Sequence, residues 1–402
     1  MLHLIVFIAF TYFLEQHIFI IHYFYKTRTP HLLLLKSVYA FIYKKYSKNL
    51  LKMKMKIKYY LITFFILLFI LLLSSEYFVR SRAPALNEKD DLVGWRLIKN
   101  LDLKFNVKDL LGNKYLVNFQ TNKRGSRFYG NEKNSEIKIL AIGDSMTNGP
   151  YASNGETWFS YFAQKLEIKS NKKVYVEAIG SAGHGNFQQY LLAKEILKDY
   201  SPDFIILQLC STNDFYNNSF DWESDGIIRT QYVRRPYLVN NKIKYYDGYL
   251  KYIYRSFIYE NIRIINRVDW VVVLVQSIFY SLAYDIKSAP DIVKNVDNLN
   301  RYKEDSISIT ESIFFKLKRL FPNKNLYIFD ACKDGNVYPN NEWINISNRN
   351  GLIPLDFFKE LNFPKTSYFI DGGHLNKNGN KILGDALFEN LMKNSLSMDI
   401  YK

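Results

Sequence analysis

Four short motifs along this 402-residue chain hold residue types able to carry out acyl chemistry. Asp371-Gly372-Gly373-His374 sets a carboxylate and an imidazole three residues apart. On one turn the acid can fix the ring's tautomer while the other ring nitrogen takes a proton from a hydroxyl. Of the six histidines, His3, His17, His22 and His31 lie in an apolar, basic N-terminal region; of His184 and His374, the latter alone has an acid three residues before it. The hydroxyl that matches is Ser145, in Gly143-Asp144-Ser145. Gly180-Ser181-Ala182-Gly183-His184-Gly185 can aim backbone N–H groups at a ligand, because glycine lets the chain come close. In Ser211-Thr212-Asn213-Asp214, the Asn213 amide can donate to a developing oxyanion, an interaction of about 3 kcal/mol in comparable sites. Each motif is common by itself: a Gly-rich strand–helix turn, an Asx turn or a helix cap accounts for any one of them. Their joint order carries the argument.

The elements that must position these residues follow from hydrophobic patterning. IKILAIG (137–143), KVYVEAIG (173–180), DFIILQL (203–209) and NLYIFDA (325–331) read as buried strands. They alternate with helical stretches over 156–166 and 187–200, one ending before Phe321, and a last one in KNGNKILGDALFENLMKN. Apolar strands alternating with helices predict a parallel sheet covered on both faces. Ser145, the 180–185 turn and Asn213 then fall at carboxyl ends of successive strands, where open α/β sheets gather function. The glycine spacing is neither that of a phosphate loop nor of a dinucleotide fingerprint. Upstream, LKFNV and KYLVNFQ around Gly112-Asn113 predict a hairpin. The regularity breaks between about 220 and 300, an aromatic insertion expected to cap the site; its apolar run VDWVVVLVQSIFYSLAY is read as buried or membrane-resting, since a crossing there would divide the sheet.

The net charge of +16 is concentrated: ten Lys or Arg and no acid lie between Lys26 and Lys58. Such a cluster beside apolar runs marks a cytoplasmic membrane loop and argues against nucleic-acid binding. Tyr59–Ser75 is an uncharged 17-residue run, extended to about Val79 as an uncleaved spanning anchor; a cleaved signal peptide is the alternative. Leu2–Phe24, interrupted by Glu15, His17 and His22, is a weaker span. The expected division is an anchor region over 1–80, a small β-rich segment over 81–135 and a catalytic domain over 136–402 facing the periplasm or cell exterior. Cys210 and Cys332 read first as two buried small apolar residues, with a disulfide as the less favoured reading.

The four motifs, in order from about 137 to 392, resemble the SGNH (GDSL-type) hydrolase superfamily. On that resemblance Ser145 is the nucleophile, Asp371 and His374 the acid and base, and Gly183, Asn213 and the Ser145 N–H the oxyanion hole. VGWRLIKN, NKRGSRFYG and the Ser145 motif together also resemble membrane-anchored bacterial members. The resemblance implies a flavodoxin-like three-layer α/β sandwich with a parallel central sheet, no cofactor and no metal. It implies a serine esterase acting on an O-acylated surface glycan or lipid. Two alternatives stand beside it: an O-acyltransferase served by a multi-span acyl-exporting partner, and a non-catalytic tethered scaffold. Two positions depart from the family pattern. Ser211 replaces the glycine that opens the third motif, and Ala178 stands where an asparagine usually braces the nucleophile loop.

Overall fold

The computed structural model describes residues 44, 55–77, 85–211, 213–224, 234–246, 296–332, 341–369 and 373–393. The chain divides into two compact units, residues 1–77 and 78–402. In the first, helix α1 (Met55–Tyr77) is 23 residues long with a mean hydropathy of 2.3, long and apolar enough to cross a membrane. Membrane anchors and signal sequences are helices of this kind. The weaker 2–24 span, and the apolar 268–284 run inside the insertion, lie outside the described residues.

The second unit is built on a six-stranded sheet. Its strands are β5 (Arg127–Tyr129), β6 (Ile137–Gly143), β7 (Val174–Gly180), β8 (Phe204–Leu209), β11 (Leu326–Asp330) and β12 (Ile353–Pro354), in spatial order β12-β11-β8-β6-β7-β5. All pairings are parallel except β5 against β7. Alternation along the strands sends side chains to two cores. Leu140, Ile142, Ile205, Leu207 and Ile328 meet α4 (Asn186–Ile196), α7 (Val296–Leu320) and α8 (Glu342–Arg349) through Leu192, Ile313 and Ile346. Ile139, Ala141, Ile206, Tyr327 and Phe329 meet α3 (Trp158–Ser170) and α9 (Lys377–Lys393) through Phe162, Leu166, Leu383 and Leu387. The result is an α/β sandwich of the SGNH hydrolase type. Without β5, the parallel strands run in the order second, first, third, fourth, fifth. The topological switch point therefore lies between β6 and β8, and the crevice at their carboxyl ends is where a ligand belongs.

Three hairpins flank this sheet. β1 (Asn87–Asp90) pairs with β2 (Gly94–Leu97), and β3 (Asp102–Lys108) with β4 (Lys114–Gln120), where Gly112 takes a positive φ of 88° in the connecting turn. Within the insertion, β9 (Arg235–Val239) and β10 (Lys242–Tyr246) join through Asn240 and Asn241, both with positive φ, the backbone of a tight two-residue hairpin. The rest of the insertion, residues 225–233 and 247–295, is outside the described residues.

Candidate active site

Ser145 opens the short helix α2 (Ser145–Asn148) directly after β6. The turn between them is fixed by Asp144, whose carboxylate accepts from the Met146 N–H at 2.9 Å. Gly143 admits no side chain, because a Cβ there would overlap Thr147 Oγ1 and Gln208 Oε1. Gln208 Oε1 in turn accepts from the Asp144 N–H (3.2 Å) and the Thr147 hydroxyl (2.9 Å). With Ala178 unable to brace this loop, Gln208 of the neighbouring strand does so.

His374 Nε2 lies 2.9 Å from Ser145 Oγ across a separation of 229 residues. Its segment is closed by a hydrogen bond from the Phe369 N–H to the His374 carbonyl (2.8 Å) and by a bridge between Tyr368 and Leu375. Asn376 donates to the carbonyls of Thr366 (2.8 Å) and Tyr368 (3.2 Å), pinning the base of the turn. The Tyr151 ring stands perpendicular to the His374 ring, 5.7 Å away, and stacks on Phe369. A shallow recess is lined by Ser145, Met146, Gly149, Pro150, His374, Leu375 and Asn380. Asp371, the expected acid of the pair, lies outside the described residues.

The third motif follows β8. The Asn213 amide is 3.4 Å from Asp144 Oδ2, so it sits beside the loop that carries Ser145. Asp214 is fully buried and accepts from the Cys210 N–H and the Asn186 amide. Desolvation, together with the nearby charge of Asp144, holds its carboxyl well above the usual range. Ser211 gives the missing glycine a physical account: its hydroxyl and N–H both donate to Asp330 at the end of β11. Burial pushes Asp330 up to about 6, against these hydrogen bonds. Beside this pair, Cys210 and Cys332 form a disulfide, with Cα atoms 5.0 Å apart. The reading of two inert buried thiols is thus corrected. Adjacent parallel strands, β8 and β11, end in register, Asp330 opposite Leu209, and this brings residues 122 apart in sequence into bonding range.

The second motif follows β7. Gly183 has a positive φ of 76°, and His184 is fully buried as a structural residue, its ring 2.8 Å from the Trp95 carbonyl. Its neighbours come from outside the predicted catalytic domain, and sequence reasoning missed them. Arg127 is one more: fully buried, it donates to the carbonyls of Asn148 (2.7 Å), Gly149 (3.0 Å) and Ala152 (2.8 Å) and to Asn154 Oδ1 (2.9 Å). It thereby fixes the segment leaving α2. Asn122 and Arg124, from the same NKRGSRFYG stretch, converge on the buried Glu177 carboxylate of β7 at 2.7–3.1 Å.

A sheet of this topology, with a serine at its switch point in hydrogen-bond reach of a histidine, is the framework of a serine hydrolase acting on esters. The family model described as GDSL-like lipase/acylhydrolase matches residues 139–387, and the chain belongs to that family. Among similar solved structures are the psychrotrophic esterase EstA of Pseudoalteromonas sp. (11% identity, TM-score 0.35, 64% of this chain and 98% of that one). A lipase/acylhydrolase of Enterococcus faecalis (13%, 0.35, 64% and 96%) and a family 3 carbohydrate esterase of Clostridium thermocellum (14%, 0.33, 64% and 96%) are others. A comparison with curated proteins finds no match.

Proposed function

We propose that this enzyme cleaves an O-acyl ester of a surface glycan or lipid outside the cytoplasmic membrane, with Ser145 as nucleophile, His374 as base and Asp371 as its orienting acid. The observation that carries the proposal is the 2.9 Å contact between His374 Nε2 and Ser145 Oγ. In this reading Ser145 Oγ attacks the acyl carbon as its proton passes to His374. The N–H groups of Ser145 and Gly183 and the Asn213 amide receive the charge on the carbonyl oxygen. His374 then protonates the departing alkoxide, and a water activated by the same nitrogen releases the acid from Ser145.

The external location is supported by the basic residues preceding α1, which favour a cytoplasmic N-terminal flank. The Cys210–Cys332 disulfide supports it as well, because such bonds persist in oxidising compartments. The test is turnover of p-nitrophenyl acetate by the full chain in detergent. Ser145→Ala should lower kcat by about 10³-fold or more, and equal turnover by the two proteins would refute the assignment. Acyl groups appearing on an added oligosaccharide instead of in water would move the reaction from hydrolysis to transfer. Protease resistance of the C-terminal unit in intact spheroplasts would overturn the location.

A further inference from the structure

The turn that carries Gly183 is gripped from two sides, by β1 and β2 upstream of the family match and by β9 within the insertion. Ser181 Oγ lies 3.3 Å from Asn87 Oδ1 of β1. The Trp95 indole Nε1–H donates to the Ala182 carbonyl at 3.1 Å. Arg235 Nη2 donates to the Gly183 carbonyl at 2.5 Å, while its Nη1 is held by Asn217 Oδ1 at 2.9 Å. The His184 ring donates back to the Trp95 carbonyl at 2.8 Å; a carbonyl only accepts, so Nε2 carries the hydrogen. Four consecutive residues are thus tied to three neighbours, Trp95 holding two of them.

We infer that Trp95 is a positioning residue for the Gly183 N–H, acting through the Ala182 carbonyl. This inference rests on the reading of Gly183 as an oxyanion donor. The Ala182 carbonyl and the Gly183 N–H belong to one peptide group, which is trans and planar, so the two point in opposite directions. Anchoring the oxygen on the indole therefore sets the direction of the N–H on the far side of that plane. The same hydrogen bond polarises the peptide and strengthens its N–H as a donor. The indole suits this task because it is a rigid donor that cannot accept, and its own position is fixed. It is 2% exposed, packs edge-on against the His184 ring at 5.1 Å, and lies 5.2 Å from the Arg235 guanidinium. Arg235 secures the peptide that follows Gly183. A positive φ between two fixed planes leaves Gly183 little freedom to turn its N–H away.

The decisive change is one atom: Trp95 replaced by 3-benzothienylalanine in the full chain, which puts sulfur where the N–H stood and keeps the shape. With p-nitrophenyl acetate, kcat should fall about tenfold, part of the loss seen when a whole oxyanion donor is removed, with KM unchanged. Phenylboronic acid, which forms a tetrahedral adduct on a nucleophilic serine, should bind more weakly by the same factor. Trp95→Phe should reproduce both shifts, and 4-fluorotryptophan at the same position, which retains the N–H, should keep wild-type kcat. Wild-type kcat and boronate affinity in the benzothienyl protein would overturn the inference, as would a loss confined to KM. Turnover by Ser145→Ala reports separately on the underlying reading. An inactive Ser145→Ala with an unaffected benzothienyl protein removes the positioning role alone.

Discussion

The folded unit contains two histidines whose surroundings divide their work. His374 faces the Ser145 hydroxyl, whereas His184 is buried against Trp95 with no partner for Nδ1 among the described residues. Desolvation pulls the His184 pKa down to about 3. A base depressed on folding takes up its proton more readily when unfolded, so its contribution to stability is complete above pH 6.5 and is lost as pH falls toward 3. Each pH unit below 6.5 costs about 1.4 kcal/mol, and His184→Gln should flatten the fall of Tm between pH 6.5 and 4. Asp330 has the opposite slope. Its carboxyl, raised to about 6, is favoured neutral in the fold, so stability drops as pH climbs from 4 to 6 and is level above. The Tm of wild type minus that of Asp330→Asn should decline across that window; a flat difference would show that burial does not hold the proton. At this scale the sequence offered Ser145, Asn213 and His374 as candidates because each sits in a compact motif. Gln208, Arg127 and Trp95 were not legible, since what they bond is mainly backbone or loop distant in sequence.

Among elements, the four long parallel strands and their helices were readable because apolar runs of six or seven residues have few alternatives. The short ones were not. Asn87–Asp90 carries no apolar residue, Arg127–Tyr129 spans three positions, and Arg235–Val239 lies inside an aromatic stretch without alternation. Tertiary pairing, not local pattern, makes them strands. These unreadable pieces, together with the hairpin that the sequence did predict, hold the site's loops. β3–β4 reaches the His374 segment through Leu110 N–H to the Tyr368 carbonyl (3.1 Å) and a bridge from Asp109 to Phe369. β5 contributes Arg127 to the exit of α2. Arg127→Met would leave the buried carbonyls of Asn148 and Ala152 without their donor, each costing about 1–3 kcal/mol. Thermal unfolding should show a loss of at least about 2 kcal/mol, and surviving protein should turn over ester more slowly. A variant as stable as wild type would place the Arg127 side chain outside the clamp described.

For the whole molecule, the family match begins at 139, downstream of Trp95, Arg124 and Arg127. A fragment from 136 onward should therefore hydrolyse p-nitrophenyl acetate far more slowly than the full chain, even where its circular dichroism retains the sheet and helices. The Cys210–Cys332 bond reaches further than its two strands. It turns the chain between two cysteines 122 positions apart into a ring fastened at one point, with the aromatic insertion as one arc of it. A single nick anywhere on that arc leaves one covalent molecule; only reduction releases two fragments. On electrophoresis, protein cut once within 225–295 should run as one band without thiol and as two with it. A ring so fastened can exchange that arc for another sequence while the strand ends beside Asn213 keep their spacing.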